Sequence, residues 1–321
     1  MEFLTTTVGS FPKPRALKRA RRQFREGQID GAALRQEEDL AVADTIALQE
    51  RLGLSILTDG EMTREDLVGH YAGRLDGLEE GMLVRCWGNR YVRRPRVTSP
   101  IGRPAPILVE DWKKAQRYTE RPVRAIVTGP YTLMHWSYDE HYGSREACAR
   151  AFCTAIAEEV AELAAAGATE IQLDEPALGV FPEETAWATE LIGEIGARRA
   201  TARLWLYVAF GDPNPDWKAL ARLPIDCLMI GLAHQGLAPA AGPALLPSNL
   251  TLAVGVIDTI EPELESARVV RERVEQVMKH VPAARLILAT DGGLRGLAPE
   301  IAEAKAGLLV ETASALQHRF T

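Results

Sequence analysis

The sequence predicts an α/β protein, a single (β/α)8 TIM barrel with a hairpin-like insertion between its second and third strands. Three observations predict it. Eight short apolar segments of strand character recur along the chain, amphipathic helical stretches lie between them, and most of the strand segments end in polar residues beside Gly or Pro. Strand and helix alternating in this way form a parallel sheet flanked by helices, and eight such units close into a barrel whose functional loops follow the strands. The chain has 321 residues, 46% of them hydrophobic, enough for one large core. With no internal repeat, linker or low-complexity stretch, residues 1–321 are read as one barrel domain.

The elements follow in order. "FLTTTVGSF" (3–11) is the first strand segment, followed by the basic stretch "KPRALKRARRQFREG" (13–27). "LSILTDGE" (54–61) is the second. The excursion over roughly 75–120 holds the alternating residues of "RCWGNRYVRRPRVT" and reads as the inserted hairpin. "VRAIVTGP" (123–130), "TEIQLDEP" (169–176), "ARLWLYVAF" (202–210), "DCLMIGL" (226–232), "LTLAVGVID" (250–258) and "RLILATDGG" (285–293) supply the other six. Helical periodicity is clearest in 144–167, which stops on Gly167 as helix ends do, and in 263–281 and 299–317.

Composition excludes several classes. No apolar run reaches the ~20 residues of a membrane helix, and "MEFLTTTVGSF" lacks the pattern of a signal peptide, so no membrane partner and a cytoplasmic location are expected. The four cysteines, Cys86, Cys148, Cys153 and Cys227, are scattered and read as packing residues. A net charge of −7 argues against nucleic acid. Two basic segments, 13–27 and 84–96, stand out against it and are read as solvated faces.

Residues at the C-terminal ends of barrel strands are functional candidates. Here they are Ser10, Asp59, Glu61, Thr128, Asp174, Glu175, Tyr207, Asp258 and Asp291. Carboxylates dominate, and like charges gathered on one rim raise one another's pKa. They call for a cationic group, a metal, or an amine on the substrate.

The segments "TTTVGSFPKP", "LTDGEMTREDLVGHYAGRLDG", "TGPYTLMHWSY", "IQLDEPAL", "GVIDT" and "TDGGL" resemble, in order and spacing, the catalytic barrel of cobalamin-independent methionine synthase. The resemblance spans nearly the whole chain. It implies methyl transfer from 5-methyltetrahydrofolate to the thiol of homocysteine, activated by zinc. It also implies four zinc ligands, two Cys, one His and one Glu, whose counterparts here are Tyr207, Ala209, approximately Gly231, and Gly292. Ala and Gly offer no donor atom and neutral Tyr is a poor one, so no metal site is expected. His234, His70, His135 and His141 are not read as a relocated site. Ile260 stands where the family resemblance implies a proton-donating His.

What the resemblance retains is an amino-acid pocket. It implies that Val8 and Ser10 hold a substrate carboxylate, that Glu61 and Asp174 accept from its ammonium group, and that Trp136 stacks on a pterin. A folate, 5-methyltetrahydrofolate or a relative, is the one cofactor left open, with the arginines of 85–96 placed to meet its glutamate tail. Without a metal a thiol of pKa ~8.5 stays mostly protonated at neutral pH, so ordinary homocysteine S-methylation is not expected. Asp59, Glu61, Asp174, Tyr207 and Asp291 are the catalytic candidates, and three readings follow: a zinc-independent transferase moving a methyl or one-carbon group on an amino-acid-like substrate; a lyase breaking a C–C, C–N or C–S bond with Asp59, Glu61, Tyr207 or Asp291 as acid or base; or a silent ligand-binding barrel. The oligomeric state is left open.

Overall fold

The computed structural model describes residues 3–85, 91–178, 180–208, 217–233 and 246–320. Its strands are β1 (Leu4–Thr6), β2 (Asp76–Arg85), β3 (Tyr91–Gly102), β4 (Ala125–Thr128), β5 (Tyr138–Asp139), β6 (Glu170–Asp174), β7 (Arg203–Val208), β8 (Cys227–Gly231), β9 (Thr251–Ile257) and β10 (Leu286–Thr290). Its α-helices are α1 (Arg15–Arg25), α2 (Gly31–Leu52), α3 (Gly69–Ala72), α4 (Val109–Gln116), α5 (Pro130–His135), α6 (Arg145–Ala165), α7 (Thr185–Gly196), α8 (Trp217–Leu220), α9 (Ala267–Met278) and α10 (Pro299–Phe320).

Among the described residues seven parallel strands form one sheet in the order β1-β10-β9-β8-β7-β6-β4. The eighth expected strand, after α2, is reduced to a bridge between Leu57 and Val123. It still closes the cylinder. The amides of Ser55 and Ile56 donate to the Thr5 carbonyl at 2.9 and 3.1 Å, Leu57 N donates to Pro122 O at 2.9 Å, and Arg124 N returns to Leu57 O at 2.8 Å. The (β/α)8 barrel read from the sequence is therefore present, with one strand too short to ladder regularly. The insertion is also present: β2 and β3 pair antiparallel, and β3 adds β5 in parallel.

Local chemistry sets the helix ends. Asp30 accepts from Ala33 N at 2.8 Å to start α2, and Gly53 ends it in the left-handed region at φ +88°. Ser144 and Ser266 cap α6 and α9 in the same way as Asp30. Alternation along the strands separates two cores. Leu204, Leu206, Leu228, Leu252 and Leu288 face the helices, whereas Val8, Ile56, Trp205, Tyr207, Cys227, Met229, Ala253, Ile287 and Ala289 fill the barrel. The inward face is also polar in places. Buried Arg124 lies over the Trp205 ring, 4.4 Å from its centroid, and Gln172 points inward between Val8 and Asp174. No helix among the described residues is long and apolar enough to cross a membrane.

Candidate functional site

The site begins at the turn after the closing segment. Asp59 accepts from the Glu61 amide at 2.9 Å, and this tight turn holds Glu61 at φ +55°. For a residue other than glycine that conformation costs about 1 kcal/mol, so something must hold it. Lys13 does so from the other side, donating to the carbonyls of Gly60 (3.2 Å) and Glu61. The Glu61 carboxylate then lies above the first strand's loop, where a Cβ on Gly9 would stand 2.8 Å from its Oε1. Among the described residues its oxygens accept no hydrogen bond.

The cation that the crowded carboxylates call for is an internal one. Arg64, 3% exposed, lies 3.7 Å from Asp59 and donates to the Ile126 carbonyl at 2.8 Å. Burial opposes its charge, but Glu61, Asp59 and Asp174 hold its pKa above the ordinary guanidinium value. Asp174 ends β6 and accepts from Gln172 Nε2 at 2.6 Å. Burial, then the nearby Glu61 charge, pushes its pKa up to about 7, although Gln172, Arg64 and Arg124 all favour the ionised form. The resident cations leave Asp174 short of positive charge.

Val8 and Ser10 come to the same place by different means. The Val8 amide donates to the Thr290 hydroxyl at 3.1 Å and its carbonyl accepts from Gln172 at 3.0 Å, so both of its backbone groups are already used. The Ser10 hydroxyl is not. It has no hydrogen-bond partner among the described residues, and it faces Gly293, where a Cβ would stand 2.1 Å from Ser10 Oγ. The Leu294 amide donates to Ser10 O at 2.7 Å and locks that approach. The second glycine of "TDGGL" is thus required by its contact with the first strand's loop.

Across the rim the other predicted residues are committed to the fold. Asp291 accepts from Ala233 N at 3.0 Å, its amide donates to Ile257 O at 2.8 Å, and its carbonyl accepts from the Tyr207 hydroxyl at 3.0 Å. Asp258 accepts from the amides of Ile260 and Glu261. Thr128 donates to Leu67 O at 2.6 Å. Glu175, fully buried, accepts from the amides of Tyr131 and Thr132 and from the Thr132 hydroxyl, holding the first turn of α5; burial still pushes its pKa up to about 7. Trp136 follows α5, half-buried, with the His135 ring 5.2 Å away edge-on.

The described positions that correspond to zinc ligands do not fit the metal. A Cβ on Gly231 would lie 2.4 Å from Asp291 Oδ1, so the space where a glutamate would begin is already filled. Tyr207 spends its hydroxyl on Asp291 O. Among the described residues no group of three or more His, Cys, Asp or Glu could hold a metal ion. Ala209 and His234 lie outside the described residues.

Sequence reading missed Arg64, Gln172 and Lys13. Gln172 was accessible from strand alternation, two residues before Asp174 and on the same face. Arg64 carried no such signal, since it sits in an irregular turn and its inward aim depends on tertiary packing.

A family model for the catalytic domain of cobalamin-independent synthase matches residues 3–315. A methionine synthase of Saccharolobus solfataricus is 29% identical over 309 residues, covering 96% of this chain and 92% of that protein. One of Sulfurisphaera tokodaii is 31% identical over 300 residues, covering 93% and 88%. The structure of a B12-independent methionine synthase from Shewanella sp. W3-18-1, in complex with selenomethionine, superposes with a TM-score of 0.89 at 24% identity, covering 100% of this chain and 99% of that one. At that identity the superposition speaks to the fold.

Proposed function

The chain belongs to the cobalamin-independent synthase catalytic-domain family, and from that premise we propose that it is a transferase moving a methyl or other one-carbon group on an amino-acid substrate, without a resident zinc ion. The whole chain serves as one catalytic barrel. Glu61 and Asp174 take the substrate ammonium, and the Ser10 hydroxyl takes its carboxylate. A ring-bearing donor such as a folate would meet Trp136.

The observation that carries this reading is the division of the rim into used and unused groups. The Glu61 carboxylate and the Ser10 hydroxyl make no hydrogen bond among the described residues, while Tyr207, Asp258 and Asp291 across the rim are paired. An ammonium placed between Glu61 and Asp174 would supply the positive charge that Asp174 lacks and would favour its ionised form. The relatives from Saccharolobus solfataricus and Sulfurisphaera tokodaii, both methionine synthases, support an amino-acid ligand. Asp291 and Tyr207, two of the groups the lyase reading offers as acid or base, are tied into the fold, and the methionine synthases similar to this chain support transferase chemistry.

The test is calorimetry of the full chain with methionine, selenomethionine and homocysteine near pH 7 in buffers of different ionisation enthalpy. At least one should bind with release of a proton, because ammonium binding ionises a carboxyl of pKa about 7. Failure of all three, or binding with no proton change, would overturn the amino-acid reading.

A further inference from the structure

The two ends of the amino-acid clamp come from β1 and β6, and no ladder of backbone hydrogen bonds sets their separation. The Leu57 segment and β4 lie between them around the barrel wall. A side chain crosses the lumen instead. Gln172, fully buried on the inward face of β6, donates through Nε2 to the Val8 carbonyl at 3.0 Å and to Asp174 Oδ1 at 2.6 Å. Val8 lies two residues before Ser10, and its amide is held at the same time by the Thr290 hydroxyl at 3.1 Å. The same side-chain amide therefore touches the backbone that leads to Ser10 and the carboxyl group of Asp174.

Its surroundings fix the orientation of that amide. Both groups that Nε2 meets are acceptors, a backbone carbonyl and a carboxyl oxygen, and turning the amide over would set its own oxygen against them. The Gln172 oxygen is buried and accepts nothing among the described residues, so the donor side determines how the group is set. Arg124, buried just before β4, donates to the Thr7 and Val8 carbonyls and holds the same stretch of backbone from another side. The charged groups around Asp174 are Glu61, on the turn after the Leu57 segment, Arg64 beyond that turn, and Arg124. Burial, then Glu61, raises the Asp174 pKa, and the Gln172 hydrogen bond is the foremost influence in favour of the ionised form.

We propose, resting on the amino-acid reading above, that Gln172 is a positioning residue that fixes the distance between the receivers of carboxylate and ammonium, and so makes the pocket selective for α-amino acids over β-amino acids. A β-amino acid carries an extra methylene between its two charged groups. A clamp of adjustable width would accept both kinds of ligand. A bridge pinned at both ends cannot follow the extra methylene, so the longer ligand gives up one of its charge-assisted hydrogen bonds. Selectivity then arises as a difference of affinities set by a residue that itself touches no ligand.

The experiment is calorimetric titration of the full chain with methionine, homocysteine and the β-homologue of each, together with a carbon-13 NMR titration of the Asp174 carboxyl without ligand. Wild type should bind at least one of the α-amino acids about tenfold or more tighter than its β-homologue, a ratio that a charge-assisted hydrogen bond supplies. In Gln172→Met, which keeps the length and loses both hydrogen bonds, that ratio should fall to about threefold or less, chiefly through weaker binding of the α-amino acid. The same change should move the ligand-free Asp174 titration up by about one pH unit, because a donor that favours the ionised form is gone. Gln172→Glu, the closest in shape, should act in the same direction and serves where Gln172→Met does not fold. Met229→Leu, a volume-conserving change in the same lumen, should alter neither readout. An unmoved Asp174 titration in the Gln172 variants, or a ratio that persists in them, would overturn the inference. Equal binding of α- and β-forms by wild type would overturn it while leaving the amino-acid reading intact, whereas binding of neither would sink that reading and the selectivity with it.

Discussion

Two arcs of one barrel rim carry similar residues and use them differently. On the arc formed by β1, the Leu57 segment and β6, Ser10, Glu61 and Asp174 project polar groups that the protein only partly satisfies. On the arc formed by β7 to β10, Tyr207, Asp258 and Asp291 are held by specific hydrogen bonds to the backbone. The difference teaches that a carboxylate at a strand end is not evidence of chemistry in itself; what separates the arcs is which groups remain unsatisfied. It also bears on zinc at Gly231 and Tyr207, the two ligand positions whose surroundings are filled. Asp291 occupies the space above Gly231 and Gly255, so there the arc is filled by the fold where a metal would need donors and room.

The largest expected loss of stability comes from forcing a side chain back into the filled arc. A Cβ on Gly255 would stand 2.5 Å from the Asp291 Cα, a backbone atom that cannot yield easily. Gly255→Ala should therefore cost about 3 kcal/mol in stability, at the upper end of what overpacking usually costs. Gly231→Glu, which returns a potential ligand, should be similarly damaging and should bind no zinc. Denaturant melts measure both, and a neutral outcome for Gly255→Ala would mean that the second arc is looser than its contacts imply.

Asp174→Asn probes the other arc, and a smaller loss, in binding, is expected. It removes a charge but keeps the shape, so amino-acid binding should weaken by about 1.5–3 kcal/mol, the worth of a charge-assisted hydrogen bond. Stability should move the other way, and with pH. The Asp174 pKa is raised to about 7 in the fold, so its contribution is fully present below the unfolded value near 3.8 and is lost as pH rises through about 7. His70 and His135, whose pKa values burial lowers, act in the opposite sense at acid pH, so the informative quantity is the difference between wild type and variant, in which they cancel. The variant should gain on the wild type between about pH 4 and 7 by on the order of 4 kcal/mol and hold that lead above pH 7. A difference that stays flat with pH would place Asp174 outside any charge-starved site.

Tyr207→Phe removes one hydrogen bond to the Asp291 carbonyl. It should cost about 1 kcal/mol of stability and leave amino-acid affinity unchanged. Loss of affinity instead of stability would move Tyr207 from the structural arc into the working one.

How far the sequence could be read follows the same division. The run "LILAT" was legible as β10 because a fully buried parallel strand is apolar throughout, and α6 because Ser144 caps a long amphipathic stretch ahead of Gly167. The weakness of the strand at 54–58 was not legible, since "LSIL" looks like any other short apolar run and its lack of a ladder is decided by its neighbours. Glu61, Asp174 and Ser10 could be named from strand-end position and family resemblance. That Asp291 fills the space above Gly231 could not, because sixty residues separate them and only the barrel's closure brings them together. Val8 shows the same limit: its position was predictable, but the use of its amide by Thr290 was not.

The smallest expected effect is none. If the second arc is filled as the contacts at Gly231 and Tyr207 indicate, purified protein should hold far less than one zinc per chain, and a chelator should leave its melting temperature where it was. A zinc site that contributes to folding does the opposite, because its binding energy is part of the stability and is lost with the metal. The measurement reaches the whole chain, including Ala209 and His234, and so tests positions that the contacts above do not. Stoichiometric zinc with a chelator-sensitive melt would show that the metal is held by some other set of donors. The comparison between the arcs would then be reversed, with the filled arc carrying the chemistry and the open one only binding.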